Sequence, residues 1–470
     1  MPEQRTNWLL LAAGLSASLA AFGAGTTFSW TSPVLAKLHL NTTENPLGYA
    51  VTPFEASWIC SLINLGAVFG PLLSTLLADR IGRKSSLLYV SLTMICSYLI
   101  TAFTTTVEFY YFARFLIGIG VGATYSITPM YLAEIAEDTN RGLLGVFFAL
   151  LQTSGSLFCY LIGPFVSIQY LSLFCIIPLL LFWLIFGIFV PESPYFYVMK
   201  NANDKAEISL KQLRVNHSFV EKELVVITEA IRNNQNEEFS DLLKSYAFLK
   251  GLFIILSLIT FQQLSGITVF LGYLQSIFDA TGSSIQPEIA SMLIGSIQVF
   301  ICLLTSQLID RLGRRLLLIL SMIGTVLSTG LLGFYFYVQI NVNYILDLIH
   351  WLPIVCLILF MFSYNLGIGP VSWTLLGELF PINVKSLAST ITVSVSFLNG
   401  FLTTVFFPSL LESFGMAISL WLFTGCTIIG LIFVIIFVPE TKGLSLTQIQ
   451  DLLSNGSSRR KSDSCNARIV

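Results

Sequence analysis

The chain has 470 residues, of which 55% are hydrophobic and only 11% charged, with a formal net charge of −2. Soluble domains carry about a quarter of their residues as charges, and a soluble chain of this length would divide into domains with polar surfaces. The apolar excess therefore has to be solvated by lipid, and the near-zero charge gives no basis for a nucleic-acid partner. Eight cysteines are scattered singly, seven of them (Cys60, Cys96, Cys159, Cys175, Cys302, Cys356, Cys426) in apolar stretches and Cys465 in the tail. Without a C-x-x-C pair they read as small buried hydrophobes, not as metal or redox sites.

A membrane-crossing helix needs about 20 mostly apolar residues. Twelve such stretches begin near Trp8, Trp58, Leu87, Phe109, Leu143, Leu171, Leu249, Ile289, Leu316, Leu352, Leu387 and Ala417. The first is as long as a full span and ends in Phe28-Ser29-Trp30, which is no small-residue cleavage site, so it reads as a span and not as a signal peptide. With both ends cytoplasmic, only Lys37 and Arg114 of the 24 basic residues fall toward the outside, a steep positive-inside bias. Arg114, about six residues into span four, is expected to snorkel to the outer surface. The polar stretch from Pro191 to Lys250 reads as short cytoplasmic helices joining two halves of six spans.

Three polar signatures occur once in each half. Asp79-Arg80-Ile81-Gly82-Arg83-Lys84 is matched by Asp310-Arg311-Leu312-Gly313-Arg314-Arg315. Tyr131-x-x-Glu134 with Arg141 is matched by Leu375-x-x-Glu378 with Lys385, the acid preceding the base by seven residues each time. Pro191-Glu192-Ser193-Pro194 is matched by Pro439-Glu440-Thr441-Lys442. The offsets are 231, 244 and 248 residues, in the same order and each at a cytoplasmic helix end. Two six-helix halves related by a pseudo-two-fold axis, with a binding site between them near the midplane, are a known transporter plan.

These motifs resemble those of the sugar porters of the major facilitator superfamily. Leu116-x-Gly118-Ile119-x-x-Gly122, with Tyr131-x-x-Glu134 and Arg141, fits that family's signature in full. Gln262-Gln263-Leu264-Ser265-Gly266-Ile267 is similar to its span-seven motif. Gly367-x-Gly369-Pro370-x-x-Trp373 with Glu378-Leu379-Phe380-Pro381 is similar to its span-ten motif, and Pro439 to Gly443 to its C-terminal one. Ser29-Trp30-Thr31-Ser32-Pro33 resembles the insect facilitated trehalose transporters and their hexose-carrying relatives. The resemblance implies an all-α membrane protein of twelve transmembrane helices in two pseudo-symmetric six-helix bundles. The expected parts are an N-terminal bundle at 1–190, a cytoplasmic helical linker at 191–247, a C-terminal bundle at 248–438 and a cytoplasmic tail at 439–470. The location expected is the plasma membrane, with both termini cytoplasmic.

A neutral sugar needs groups that donate and accept, and an aromatic face for its C–H side. Gln262 and Gln263 offer two-way amides before Gly266, where a helix can unwind. Thr268 stands where the family has Asn, and Gln298 where relatives usually have Asn, a longer reach that should shrink the pocket. Trp373 matches the family's stacking tryptophan. The family's span-five glutamine falls on Ala149, and Gln152 lies one turn later as a substitute. The span-eleven tryptophan is Phe397, with Asn399 nearby, and the Arg of the family's P-E-S-P-R is Tyr195. These departures leave the sugar's identity open between trehalose and a hexose such as glucose.

Proton-coupled relatives carry Asp where this chain has Gly25, and no span has a carboxylate near its middle, so an uncoupled carrier is expected ahead of a proton–sugar symporter. A sugar sensor of the same fold is a further alternative; the tail after Leu453 holds Ser and the cluster Arg459-Arg460-Lys461 and no domain-sized extension. No metal-ligand cluster, nucleophile–base motif or Walker-type loop appears, so neither an enzyme nor a cofactor is expected. The cytoplasmic charges form a gate in this reading, with Asp79, Arg80, Glu134, Arg141 and Glu192 under the N-half. Asp310, Arg311, Glu378, Lys385 and Glu440 stand under the C-half, and ion pairs there would tie helix ends when the inner side is closed. Of three N-x-S/T sequons, Asn41 in the first outer loop is the candidate for glycosylation; Asn216 and Asn455 are cytoplasmic by this topology.

Overall fold

The computed structural model describes residues 8–40, 45–137, 140–214, 220–234, 245–282, 286–341, 349–380, 382–444 and 446–454. The first half consists of α1 (Trp8–Leu38), α2 (Pro53–Ile81), α3 (Arg83–Phe103), α4 (Val107–Ile135), α5 (Arg141–Ile162) and α6 (Ile168–Phe189). The connector carries α7 (Pro194–Met199), α8 (Asn203–Leu213) and α9 (Val220–Asn234). In the second half α10 (Tyr246–Leu264) and α11 (Ile267–Asp279) together make span seven. Then come α12 (Pro287–Leu312), α13 (Arg314–Asn341), the pair α14 (Leu352–Leu366) and α15 (Ile368–Leu379) that makes span ten, α16 (Ile382–Phe437) and α17 (Leu446–Ser454).

Among the described residues, eleven helical stretches are long and apolar enough to cross a bilayer. The last, α16, has 56 residues, a length of about 84 Å at 1.5 Å per residue against a hydrocarbon core of about 30 Å. It cannot be one crossing. Gly415, with φ 77° and ψ 170°, breaks it into two, close to the expected start at Ala417. Among the described residues the count is therefore twelve, and α1 begins on the same side as α16 ends, here called the inner side.

Glycines set how closely the spans approach. A side chain begun at Gly118 on α4 would meet the Ile63 carbonyl oxygen at 2.1 Å, and one at Gly122 would meet that of Ala67 at 2.2 Å. From the facing helix, Gly66 would meet the Phe115 oxygen at 2.1 Å. Two backbones in direct contact gain dispersion energy that lipid-facing leucines cannot supply, and this is the physical content of the Gly118–Gly122 signature. At the outer end α2 is started by a capping box, Thr52 Oγ1 accepting the Glu55 N–H and Glu55 accepting the Thr52 N–H, with Pro53 in the first turn.

One core joins the halves and two do not. Trp30, Ile63 and Tyr110 of the first half pack with Phe270, Phe278, Tyr335 and Phe407 of the second in a single cluster toward the outer side. At the inner ends the first half has its own core (Leu10, Leu87, Ile135, Phe186) and the second another (Phe248, Leu317, Leu379, Val438). The halves thus share a core on the outer side and have separate cores at their inner ends, an inward-facing arrangement in which Thr75 with Thr390 (3.4 Å) and Ser394 on the Val68 carbonyl (3.0 Å) still tie α2 to α16. The connector forms a small core of Val198, Ala206, Leu210, Val220 and Ile227. It is pinned under the first half by Arg214, which donates to the Ile135 carbonyl (2.9 Å) and pairs with Glu223 (2.6 Å). α17 is pinned under the second half, where Gln450 donates to the Leu379 carbonyl.

Candidate binding site and inner-side charge clusters

Span seven is interrupted where the sequence suggested. α10 ends at Leu264 with Ser265 as its cap, and Gly266 takes φ +89°, a left-handed conformation only glycine adopts without strain. The break turns the last residues of α10 toward the interior. Gln262 is buried and donates its amide N–H to Tyr364 Oη (2.9 Å) and to the Gly369 carbonyl (3.2 Å), so it reaches the corresponding break in span ten. Gln263 donates to Ser396 Oγ on α16 (3.0 Å). The carbonyl oxygens of Gln262 and Gln263 are buried without any donor, and so is that of Gln298.

Gln298 lies at another seam. On α12 it stands between Gly295, which rests on Tyr160 and Leu157, and Cys302, which neighbours Thr153. Its spacing places it on the α12 face that meets α5. Gln152 is half-buried on that same α5, its main-chain oxygen packed under Gly25. Thr268 bonds Thr403 Oγ1 (3.1 Å), and the Asn399 amide donates to Thr260 Oγ1 (3.0 Å), so Asn399 ties α16 to α10.

Trp373 belongs to an aromatic group that sequence reading only half saw. Tyr125 on α4 lies at its centre, 6.3 Å from Trp373, 5.6 Å from Phe397, 5.5 Å from Phe148 and 6.3 Å from Phe28 between ring centroids. Five rings from five spans of both halves thus form one apolar aromatic group. Tyr125 follows Gly122 by three residues, and that adjacency to the glycine seam was the signal available for it.

The inner-side charges repeat in space as they do in sequence. Gly82, at φ +98°, makes the turn between α2 and α3, and a side chain there would meet Glu192 at 2.2 Å. The Glu192 carboxylate accepts the main-chain N–H groups of Arg83 (2.9 Å), Lys84 (3.0 Å) and Ser193 (2.9 Å), an anion held at the start of α3. Arg83 pairs with Glu134 at 3.1 Å and Asp79 at 3.6 Å, and the Ser193 hydroxyl donates to Glu134. In the second half Gly313 takes φ +91°, and Glu440 accepts the N–H groups of Arg314, Arg315, Thr441 and Lys442 at 3.0–3.1 Å. Burial pushes the Glu440 carboxyl up, but those four N–H groups together hold it below its ordinary value. Arg314 pairs with Glu378 at 2.9 Å, and Thr441 donates to Glu378 at 2.6 Å.

The arginines at the centre of both clusters are Arg83 and Arg314, the second basic residues of the repeat, which sequence reading had not singled out. Arg80 and Arg311 are exposed. Lys385 donates to the Gly377 carbonyl (3.1 Å). Each of these ion pairs stays within its own half, as fits the inward-facing arrangement. The Arg141 and Asp310 side chains, and Asn41, lie outside the described residues.

Arg114 departs from expectation. It does not snorkel: it is 2% exposed, with Nε on the Ile59 carbonyl (3.0 Å) and its two terminal nitrogens on the Thr27 carbonyl (3.1 Å) and Thr31 Oγ1 (3.2 Å). Its guanidinium also lies 5.3 Å from the Trp30 ring centroid. Helix carbonyls and an aromatic face satisfy it more closely than the outer surface would. Gly25 faces elsewhere: a side chain begun there would meet the Gln152 carbonyl oxygen at 1.9 Å.

Two halves of six spans, broken helices seven and ten, and a polar and aromatic interior between the halves define a membrane transporter of the major facilitator fold. The chain belongs to the Sugar (and other) transporter family, whose profile matches residues 18–453. It is 32% identical over 457 residues to the facilitated trehalose transporter Tret1 of Bombyx mori, covering 96% of this chain and 88% of that one. It is 31% identical over 468 residues to Tret1 of Anopheles gambiae, of which it spans 58%. Among solved structures, the inward open xylose transporter XylE from E. coli superposes with a TM-score of 0.77 at 22% identity, over 94% of this chain and 99% of that one. The proton:xylose symporter XylE bound to 6-bromo-6-deoxy-D-glucose gives 0.75 at 23%, over 95% of this chain and all of that one.

Proposed function

We propose that this chain is a facilitative sugar carrier working by alternating access, with trehalose or a hexose such as glucose as cargo. The observation that carries the reading is the set of buried carbonyl oxygens on Gln262, Gln263 and Gln298, each without a donor. A buried acceptor left unsatisfied costs about 1–3 kcal/mol, and the hydroxyls of a neutral sugar are the donors that would remove that cost. The aromatic group around Tyr125 supplies the complementary face, and kinship with insect trehalose transporters supports the class of cargo. The carrier sits in the plasma membrane with both termini cytoplasmic, as the basic-residue bias argues. The halves are taken as residues 1–190 and 248–438, and the two inner-side clusters act as gate elements.

The uncoupled mechanism rests on the surroundings of Arg114. A proton carrier needs a carboxylate whose affinity for a proton changes with the cargo. The groups that meet this buried cation are hydroxyl, carbonyl and indole, with the Cys60 thiol and the Tyr98 phenol nearby. Uptake of labelled trehalose and glucose into a transport-null cell should therefore stop at the outside concentration and be unaffected by an uncoupler, at acidic and near-neutral outside pH alike. Accumulation that the uncoupler abolishes would replace this reading with the proton symporter. In the same assay Gln263→Ala should raise the apparent KM about fivefold or more, the effect of about 1 kcal/mol in a lost hydrogen bond, with surface expression intact. Unchanged kinetics would remove Gln263 from the site.

A further inference from the structure

The seam where α2 meets α11 and α16 holds a polar group that the carrier reading has not used. Asn64 on α2 is 3% exposed, and its amide oxygen has no donor. That oxygen and Thr268 Cγ2 each lie 3.3 Å from the point where a Gly400 side chain would begin. One turn outward, Cys60 Sγ lies 2.4 Å from where a Gly272 side chain would begin. Beside it the Tyr273 hydroxyl, on a residue 6% exposed, has no oxygen or nitrogen partner and meets only the Cys60 thiol. Two residues of the second half that face α2 are thus bare backbone, and two buried polar side chains from opposite halves point into the space between them.

This seam continues outward from Gln263. Ser396, which holds Gln263, Gly400 and Thr403 recur at one-turn spacing on one face of α16, and Thr403 holds Thr268. The strip Thr268–Gly272 on α11 runs along the strip Cys60–Asn64 on α2. In the inward-facing arrangement the two strips are pressed together, the Asn64 amide oxygen goes unsatisfied and the Tyr273 hydroxyl meets only a thiol. When the halves part on the outer side, the strips separate into a slot just outside Gln263. The slot presents an amide, a phenol and the Thr268 hydroxyl, with glycine backbone on two sides.

We propose that this slot is a subsite for a second sugar ring, so that the carrier accepts disaccharides as well as single hexoses, with Asn64 and Tyr273 as its specificity-determining contacts. The chemistry asks for a neutral, hydroxyl-bearing ring: its O–H groups donate to the Asn64 oxygen, and the Tyr273 hydroxyl can donate or accept. Gly272 and Gly400 leave the width that a pyranose face needs. The proposal rests on the sugar-carrier reading and on Gln263 as the contact to the first ring.

Initial uptake rates of labelled trehalose and labelled glucose would be measured for wild type, Asn64→Ala and Tyr273→Phe, each normalised to surface protein. The Phe variant keeps the ring packed on Phe407, at 5.6 Å between centroids, and removes only the hydroxyl. In both variants the KM for trehalose should rise about tenfold while that for glucose stays within about twofold, the span expected of a lost hydrogen bond to one ring alone. Equal losses for both sugars, or none in either variant, would make the seam purely structural and overturn the subsite. A wild type that carries glucose but no trehalose would also overturn it while leaving the carrier reading intact. A wild type that carries neither sugar would overturn both.

Discussion

Arg83→Leu should strip most of the transporter from the cell surface, and Arg83→Leu combined with Glu134→Leu should restore much of it. The Arg83 side chain is 5% exposed and its partner Glu134, at the inner end of α4, 14% exposed. Removing one partner of a buried ion pair leaves the other charge stranded, at a cost of about 3–5 kcal/mol, whereas replacing both by apolar groups is often close to neutral. That loss is comparable to much of the stability of an ordinary domain. The equivalent change in the second half, Arg314→Leu, should be milder, because Arg314 and Glu378 are 13% and 25% exposed and water can reach the abandoned carboxylate. Surface biotinylation and the melting temperature in detergent would be measured for all three. A double variant no better than the single one would mean that Arg83 acts through its bond to the Ala78 carbonyl (3.1 Å) or its stacking on Phe196, and not through the pair.

The acid–base repeat was legible as a repeat but not as a set of partners. Sequence places Asp79, Arg80, Glu134 and Glu192 at one membrane face, yet which arginine turns inward depends on the turn at Gly82. That left-handed residue carries the chain so that the N–H groups of Arg83 and Lys84 point at Glu192 and the Arg83 side chain falls beneath α4. The same geometry at Gly313 selects Arg314 over Arg311. The interruption of span seven after Gln262 and Gln263 was legible, because Gly266 follows them inside an apolar span. Asn64 and Tyr125 were not, since each is a lone polar side chain on a helix whose interior face is fixed only by the packing of α2 and α4. Arg114 was misread for a related reason: distance along a helix says how near the membrane surface a cation lies, and carbonyls from neighbouring helices decide whether it needs to go there.

A carboxylate placed at two nearby points of α1 should have opposite consequences. Gly25→Asp should abolish the folded carrier. Its side chain would begin 1.9 Å from the main-chain oxygen of Gln152, an atom fixed within α5, so α1 and α5 would have to separate. Overpacking of this kind costs about 1–3 kcal/mol even where flexible side chains can yield, and a helix backbone cannot yield in the same way. The charge would add a further cost of about 2.5–3.5 kcal/mol at mid-membrane. Thr31→Asp should be tolerated. Thr31 Oγ1 already lies 3.2 Å from an Arg114 terminal nitrogen, so the new carboxylate would meet the buried guanidinium and form an ion pair where wild type has a hydroxyl contact. Uptake by Thr31→Asp should then vary with outside pH, because protonation would dissolve a bond on which the packing of α1 against α4 had come to depend. Thr31→Asn, equal in size and without charge, should be as indifferent to pH as wild type. The measurements are surface expression of the three variants and sugar uptake across an outside pH series. If Thr31→Asp is lost from the membrane as completely as Gly25→Asp, then Arg114 cannot accept an acid from α1, and the absence of proton coupling would need an explanation other than the hydroxyl that stands there.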